Sequence, residues 1–371
     1  MREQRMKESV GMDRVGTVGK NCNMVDVIKV ICAVMVVMGH IEPFGKDVSE
    51  TFAYLNFGFQ KYLARIAVPF FFVASGYFLF RKSSTENFDV RHSAKYIKRI
   101  LRLYLTWTIL YLPLIIRGFF HDEKGLKHAI SMFVRYFFFT GSYAQLWYLP
   151  ALMTAVLIVT ILLHRRVAVW RILTIGGFFY FIGLFAQSWF GFIRPLEHHL
   201  PRIWNFLKLV EQVIITTRDG LFDGFLFVAI GMYFAFYNVK MRSDKALVGF
   251  LLSMTALFAE VFALKTFHFI KEYDMYLFLV PAVWYLFCFA KNTELPDHPI
   301  YGVLRKISSL IFYLHLWVDA VVVKFLLRIG ETYVNSGLQF VLTLIGTIMV
   351  SMGVIWLSEN RKFAWMKRLY V

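Results

Sequence analysis

The side chains best placed to do chemistry are Lys29 and His40, which share one apolar stretch, VDVIKVICAVMVVMGHIEPF, at 25–44. Eleven residues of α-helix bring a side chain back to within about 20° of its starting direction and about 16 Å further along the axis. The two groups therefore share a face. An ionisable residue in so apolar a segment is expensive in hydrocarbon and turns toward a bundle interior or a wet cavity, which makes it a candidate for function. Histidine supplies a base that works near neutral pH; the alternative is an interior histidine satisfied by its neighbours.

Four further stretches carry candidates. In AKYIKRILRLYLTW (94–107), Lys95, Lys98, Arg99 and Arg102 recur at three- and four-residue spacing along one side of a helix start. Such a cluster suits anionic lipid headgroups or the phosphates of a ligand. In RIAVPFFFVASGYFLF (65–80), Pro69 removes a backbone donor, Ser75-Gly76 permits close approach of a neighbouring helix, and Arg65 needs a partner. Asp219 and Asp223 stand four apart before an apolar run, suited to holding a cation, orienting a histidine or capping a helix. His315 and Asp319 have the same spacing and could form a relay or a satisfied pair.

The elements that must position these groups are membrane helices. Of 371 residues 58% are hydrophobic and 18% charged, with a mean hydropathy of +0.57, which is more apolar surface than a soluble domain can bury. Apolar runs predict an all-α polytopic protein of ten spans near 25–41, 60–80, 96–117, 144–163, 170–190, 221–237, 246–266, 274–290, 303–327 and 338–358. The stretch 126–143 reads as interfacial or re-entrant and 203–217 as amphipathic. No apolar core precedes Val25, so the first span is expected to be retained rather than cleaved as a leader. An even number of spans puts both termini on one side. The Lys and Arg excess in the connections on that side predicts that it is cytoplasmic. The expected organisation is a cytoplasmic tail at 1–24, a transmembrane domain at 25–358 and a basic cytoplasmic tail at 359–371.

The net charge of +17 is spread through short connections, so the membrane accounts for it and a nucleic-acid partner is not expected. Cys22, Cys32 and Cys288 form no disulfide framework or zinc spacing, and no metal is expected. Walker-type, dinucleotide-binding, HExxH and C-x-x-C motifs are absent, which leaves an ATP-driven pump, a nicotinamide enzyme and a zinc protease without support. A transporter and an intramembrane transferase both remain compatible with ten spans and scattered intramembrane His, Arg and Asp.

Taken together, Lys29 to His40, Phe71-Phe72-Val73-Ala74-Ser75-Gly76, Arg99-Ile-Leu-Arg102, Leu146 to Leu149 (LWYL) and Ser309 to His315 resemble the membrane-bound acyltransferase 3 family over roughly residues 22–358. Within it, AVPFFFVASGYF, QLWYLP and RDGLFDGFLF look most similar to the membrane half of vancomycin-resistance serine racemase-like proteins. That half is thought to move serine across the membrane. The resemblance implies a cytoplasmic acyl-CoA donor, commonly acetyl-CoA, and a hydroxyl or amine acceptor on an envelope carbohydrate, in a multi-pass protein of the cell (inner) membrane. It assigns His40 as general base or transient acyl carrier, with Lys29 holding the donor or stabilising oxyanion charge. Arg99, Arg102 and the adjoining Lys98 would receive CoA phosphates, while Ser75 and Gly76 would let the donor chain approach. Lys stands at 29 where the family more often has Arg, and Glu42 lies close enough to His40 to modulate it. The competing reading is a transporter of serine or another small polar solute, with His40 contacting the solute or a proton; a non-catalytic partner in envelope synthesis would show neither activity.

Overall fold

The computed structural model describes residues 22–44, 50–83, 88–119, 125–330 and 336–370, and among these every regular element is helical. The first helix, α1 (Asn23–Ile41), is anchored at its start by Asn23, whose amide donates to Asp297 at 2.8 Å. It ends where Glu42 turns left-handed (φ 56°), its N–H bonding to Met38 O, and Pro43 has no N–H to continue the ladder. Gln60 braces this end by donating to Gly39 O at 2.9 Å and Glu42 Oε1 at 2.8 Å.

The chain continues through α2 (Glu50–Lys61), a 3₁₀ turn (Leu63–Ile66), α3 (Ala67–Phe80), α4 (Val90–Phe119), α5 (Leu126–Phe139), α6 (Tyr148–His164) and α7 (Val169–Phe185). After two single turns come α8 (Pro201–Ile214), a π turn (Gly220–Gly224) and α9 (Phe225–Phe236). The last four long helices are α10 (Ser243–Thr266), α11 (Leu279–Asn292), α12 (Ile300–Arg328) and α13 (Ser336–Glu359).

Among the described residues seven helical stretches are long and apolar enough to cross a membrane, and eight if α7 is joined to the turns beyond its 74° bend. The sequence expectation of ten adds α9 and α11. Fourteen residues of α11 rise only about 21 Å, short of a bilayer core of about 30 Å. Helix α9 is apolar all round, FLFVAIGMYFAF, and is correspondingly buried on nearly every side, as a central helix must be. Around it pack α3, α6 and α7, while α1 pairs with α12, α10 with α11, and α12 with α13. The two stretches not expected to span form α5 and α8, amphipathic helices of 14 residues each.

Most of the expected N-terminal tail, residues 1–21, lies outside the described residues. The basic C-terminal stretch is not a free tail. It forms a 3₁₀ helix (Arg361–Leu369) that folds back on α13 and α4. The Trp107 indole donates to Leu369 O at 3.0 Å, and Tyr370 OH lies 2.7 Å from Ser358 Oγ.

The tightest contact runs between α3 and α9, where two glycines let the backbones nearly touch. A Cβ on Gly231 would sit 2.1 Å from Val73 O, and one on Gly76 would sit 2.4 Å from Val228 O. Backbone on both sides leaves no flexible side chain to yield. Gly231→Ala is expected to cost about 1–3 kcal/mol through overpacking, read as a lower midpoint in thermal unfolding of the detergent-solubilised protein. Gly353→Ala on α13, whose Cβ meets open space, should leave the midpoint unchanged or raise it, because alanine favours helix.

Candidate active site

A cavity of about 810 Å³ opens at the end of the bundle where α1 and α12 begin, between α1, α3, α4, α6 and α12. From α4 it takes His92, Lys95, Tyr96, Arg99, Ile100 and Leu103, positions whose three- and four-residue steps form one helix face. Lys29 of α1, Arg81 and Lys82 after α3, and Arg305 and Lys306 of α12 complete a cationic wall. Lys29 Nζ sits 4.5 Å from the Phe78 ring centre and the Arg81 guanidinium 4.9 Å, while Arg99 lies 5.0 Å over Tyr96. The fully buried Asp26 is committed to Arg305, accepting from Nη2 at 2.7 Å and Nε at 3.1 Å. Among the described residues no carboxylate lines the cavity. The chamber is cationic along its wall and apolar within.

Two of the expected anion-binding residues lie elsewhere. Lys98 and Arg102 are exposed on the neighbouring strip of α4, and Arg102 Nε donates to Lys98 O at 3.4 Å. The cavity face of α4 runs through His92, Lys95, Tyr96, Arg99, Ile100 and Leu103, and on a helix that turns about 100° per residue Lys98 and Arg102 fall to one side of it. The same rotation divides Ser75 from Gly76. Ser75 lines the cavity, its Oγ 3.0 Å from Tyr148 OH, whereas Gly76 is pressed against α9 as packing.

The inner end of the cavity is floored by three rings. Phe71, Tyr148 and Phe312 meet with centres 5.5–6.3 Å apart. Beyond them, toward the other end of the bundle, the His40 and His315 rings stand 5.2 Å apart, tilted by 39°. Neither histidine lines the basic cavity, and the His40 ring stays accessible. His315 is fully buried, with Nδ1 2.9 Å from Ile311 O. A carbonyl only accepts, so Nδ1 carries the proton and the lone pair of Nε2, which has no partner, is left free.

The expected pair of His315 with Asp319 does not form. Asp319 accepts instead from Gln339 at 2.6 Å and from Thr343 at 3.3 Å, both on α13. His315 had a partner that spacing could not reveal, since His40 lies on a helix remote in sequence. Arg65 also finds its partner far along the chain: Asp274 pairs with Arg65 and with Arg218, the latter at 3.2 Å. Arg218 spreads over Trp147 at 4.7 Å. Of the two other aspartates, Asp219 caps the π turn by accepting from the Leu221 and Phe222 N–H groups at 2.9 and 2.8 Å. Asp223 is buried within the turn itself, and no cluster of metal-ligating side chains occurs among the described residues.

Comparison with known proteins bears on what this arrangement is. Residues 23–356 match the acyltransferase domain family. The chain is 29% identical over 92% of its length to a serine/alanine racemase of Enterococcus gallinarum, covering 47% of that protein. It is 30% identical over 71% of its length to an amino-acid racemase of Enterococcus faecalis, covering 35%. It thus spans less than half the length of these curated relatives. No solved structure matches it significantly. A match across nearly the whole helical bundle, from the start of α1 to near the end of α13, assigns the chain to the acyltransferase 3 family.

Proposed function

We propose that this is an integral membrane enzyme that carries an acyl group, in the first instance acetyl, from acyl-CoA to a hydroxyl or amine of an envelope carbohydrate. The observation that carries the reading is the pairing of a cation-lined, apolar-floored cavity at one end with an accessible histidine just beyond its floor. CoA combines several phosphates with a long uncharged arm, and a chamber with a basic rim and an apolar floor matches both parts. In this reading ten helices cross the cell membrane, counting α7, α9 and α11. Both termini and the basic cavity face the cytoplasm, as the distribution of Lys and Arg favours. The acceptor then approaches His40 from the opposite side.

His40 takes the proton of the acceptor hydroxyl as the oxygen attacks the thioester carbonyl. A carbon–oxygen bond forms, the carbon–sulfur bond breaks, and the leaving thiolate recovers a proton. His315 stands close enough to position the His40 ring. Lys29 lies on the cavity wall, so its part is to hold the donor phosphates rather than to act at the carbonyl.

A second reading, transport of serine or another small polar solute, draws on the amino-acid racemase names of the relatives. Labelled acetyl-CoA supplied to the cytoplasmic face of membrane vesicles separates the two. In the enzyme reading, label appears in envelope carbohydrate and His40→Ala lowers its rate by about 10²–10⁴-fold. Label transfer indifferent to that substitution, or absent beside robust serine uptake, would overturn it. The cavity geometry adds a sharper expectation. Arg99→Ala should raise the KM for acetyl-CoA at least about tenfold, one charge-assisted contact being worth about 1.5–3 kcal/mol, while Arg102→Ala stays near the parent value.

A further inference from the structure

The cavity and the histidine pair are separated by the three floor rings and the small cluster of Ala33, Val37, Ile41 and Ile311, and one side chain touches both sides of that barrier. Phe71, Tyr148 and Phe312 form a closed triangle, with centres 5.5 Å (Tyr148–Phe312), 5.9 Å (Phe71–Phe312) and 6.3 Å (Phe71–Tyr148) apart. Rings at such distances are in contact, so nothing larger than a hydrogen atom passes between them. Two of the three are fixed. Tyr148 is buried and holds Ser75 through its hydroxyl, with Phe72 packed at 4.8 Å; Phe312 is buried against Tyr313.

Phe71 differs from both. Of the three rings it alone is only partly buried, and it is the ring that touches both compartments. On one side it lines the basic cavity; on the other it packs on the small cluster of Ala33, Val37, Ile41 and Ile311. Val37 and Ile311 precede His40 and His315 by three and four residues, which puts them on the same helix faces one turn nearer the cavity. A group leaving the cavity for His40 must therefore displace Phe71.

We propose that Phe71 is the gate between the two compartments and that its ring sets the size of the acyl group transferred, favouring short chains over long ones. The proposal rests on the acyl-transfer reading above. With the thioester carbonyl brought up to His40, the CoA arm fills the opening made by a swing of the Phe71 ring and the acyl group lies beyond it, against the buried cluster of Ala33, Val37, Ile41 and Ile311, where a short group needs less rearrangement than a long chain.

The test measures transfer from acetyl-, butyryl- and octanoyl-CoA in membranes carrying the parent protein, Phe71→Leu, Phe71→Ala and Phe71→Trp. The parent is expected to prefer acetyl over octanoyl by at least about 100-fold in kcat/KM, equivalent to about 2.7 kcal/mol. Phe71→Leu and Phe71→Ala should shrink that preference progressively, by tenfold or more for alanine, and Phe71→Trp should depress transfer from all three donors. Leucine keeps a well-packed apolar side chain, so the direction can be read even where alanine impairs folding. An unchanged acetyl-to-octanoyl ratio in both the leucine and tryptophan variants overturns the gate while leaving acyl transfer standing. Absence of transfer from any acyl-CoA by the parent overturns both.

Discussion

Two helix backbones that nearly touch set the geometry on which the site depends. Gly76 and Gly231 remove the side chains that would hold α3 and α9 apart, and the carbonyls of Val73 and Val228 fill the space. In hydrocarbon, where helices gain little from apolar burial relative to lipid, such close packing is a main source of association. With one face of α3 fixed in this way, its opposite face is fixed too. That face is Phe71, Ser75 and Phe78, at steps of four and three, and it forms one wall of the basic cavity. A shift of α3 by even an ångström would move the floor ring, the serine that holds Tyr148, and the ring beneath Lys29 together.

Charge is handled in opposite ways at the two ends. Near His40, Asp274 sits between Arg65 and Arg218 and offsets much of their repulsion. At the other end Asp26 is committed to Arg305, and Lys29, Lys82, Lys95, Arg99 and Lys306 share the chamber with no carboxylate among the described residues of its lining. Clustered like charges oppose a compact fold. An anion that binds here relieves that repulsion, so occupancy and stability are coupled, with stabilisation growing with the logarithm of ligand concentration above Kd.

What the sequence reveals depends on the range of the interaction. The α1 helix, its shared Lys29 and His40 face, and the basic character of the α4 start are local patterns, and hydropathy and helical periodicity expose them. The capping by Asp219 is likewise local. Finer local distinctions were lost: Lys98, Arg99 and Arg102 look equivalent by spacing, yet only Arg99 faces the cavity, because the cavity face runs through His92, Lys95, Tyr96 and Leu103. Ser75 and Gly76 are neighbours with unrelated surroundings for the same reason. Contacts between distant segments left no trace at all. Asp319 looked like a partner for His315, but which of two nearby helices it faces is decided by where α13 packs. The pairing of His315 with His40, and of Arg65 with Asp274, follows from tertiary arrangement alone.

The docked C-terminal 3₁₀ helix has a practical consequence. Trp107 fixes Leu369, and Tyr370 contributes to the cavity lining itself. A bulky fluorescent protein attached close behind Tyr370 would therefore stand beside the cationic entrance, and a long uncharged spacer would be needed to keep such a fusion clear of it.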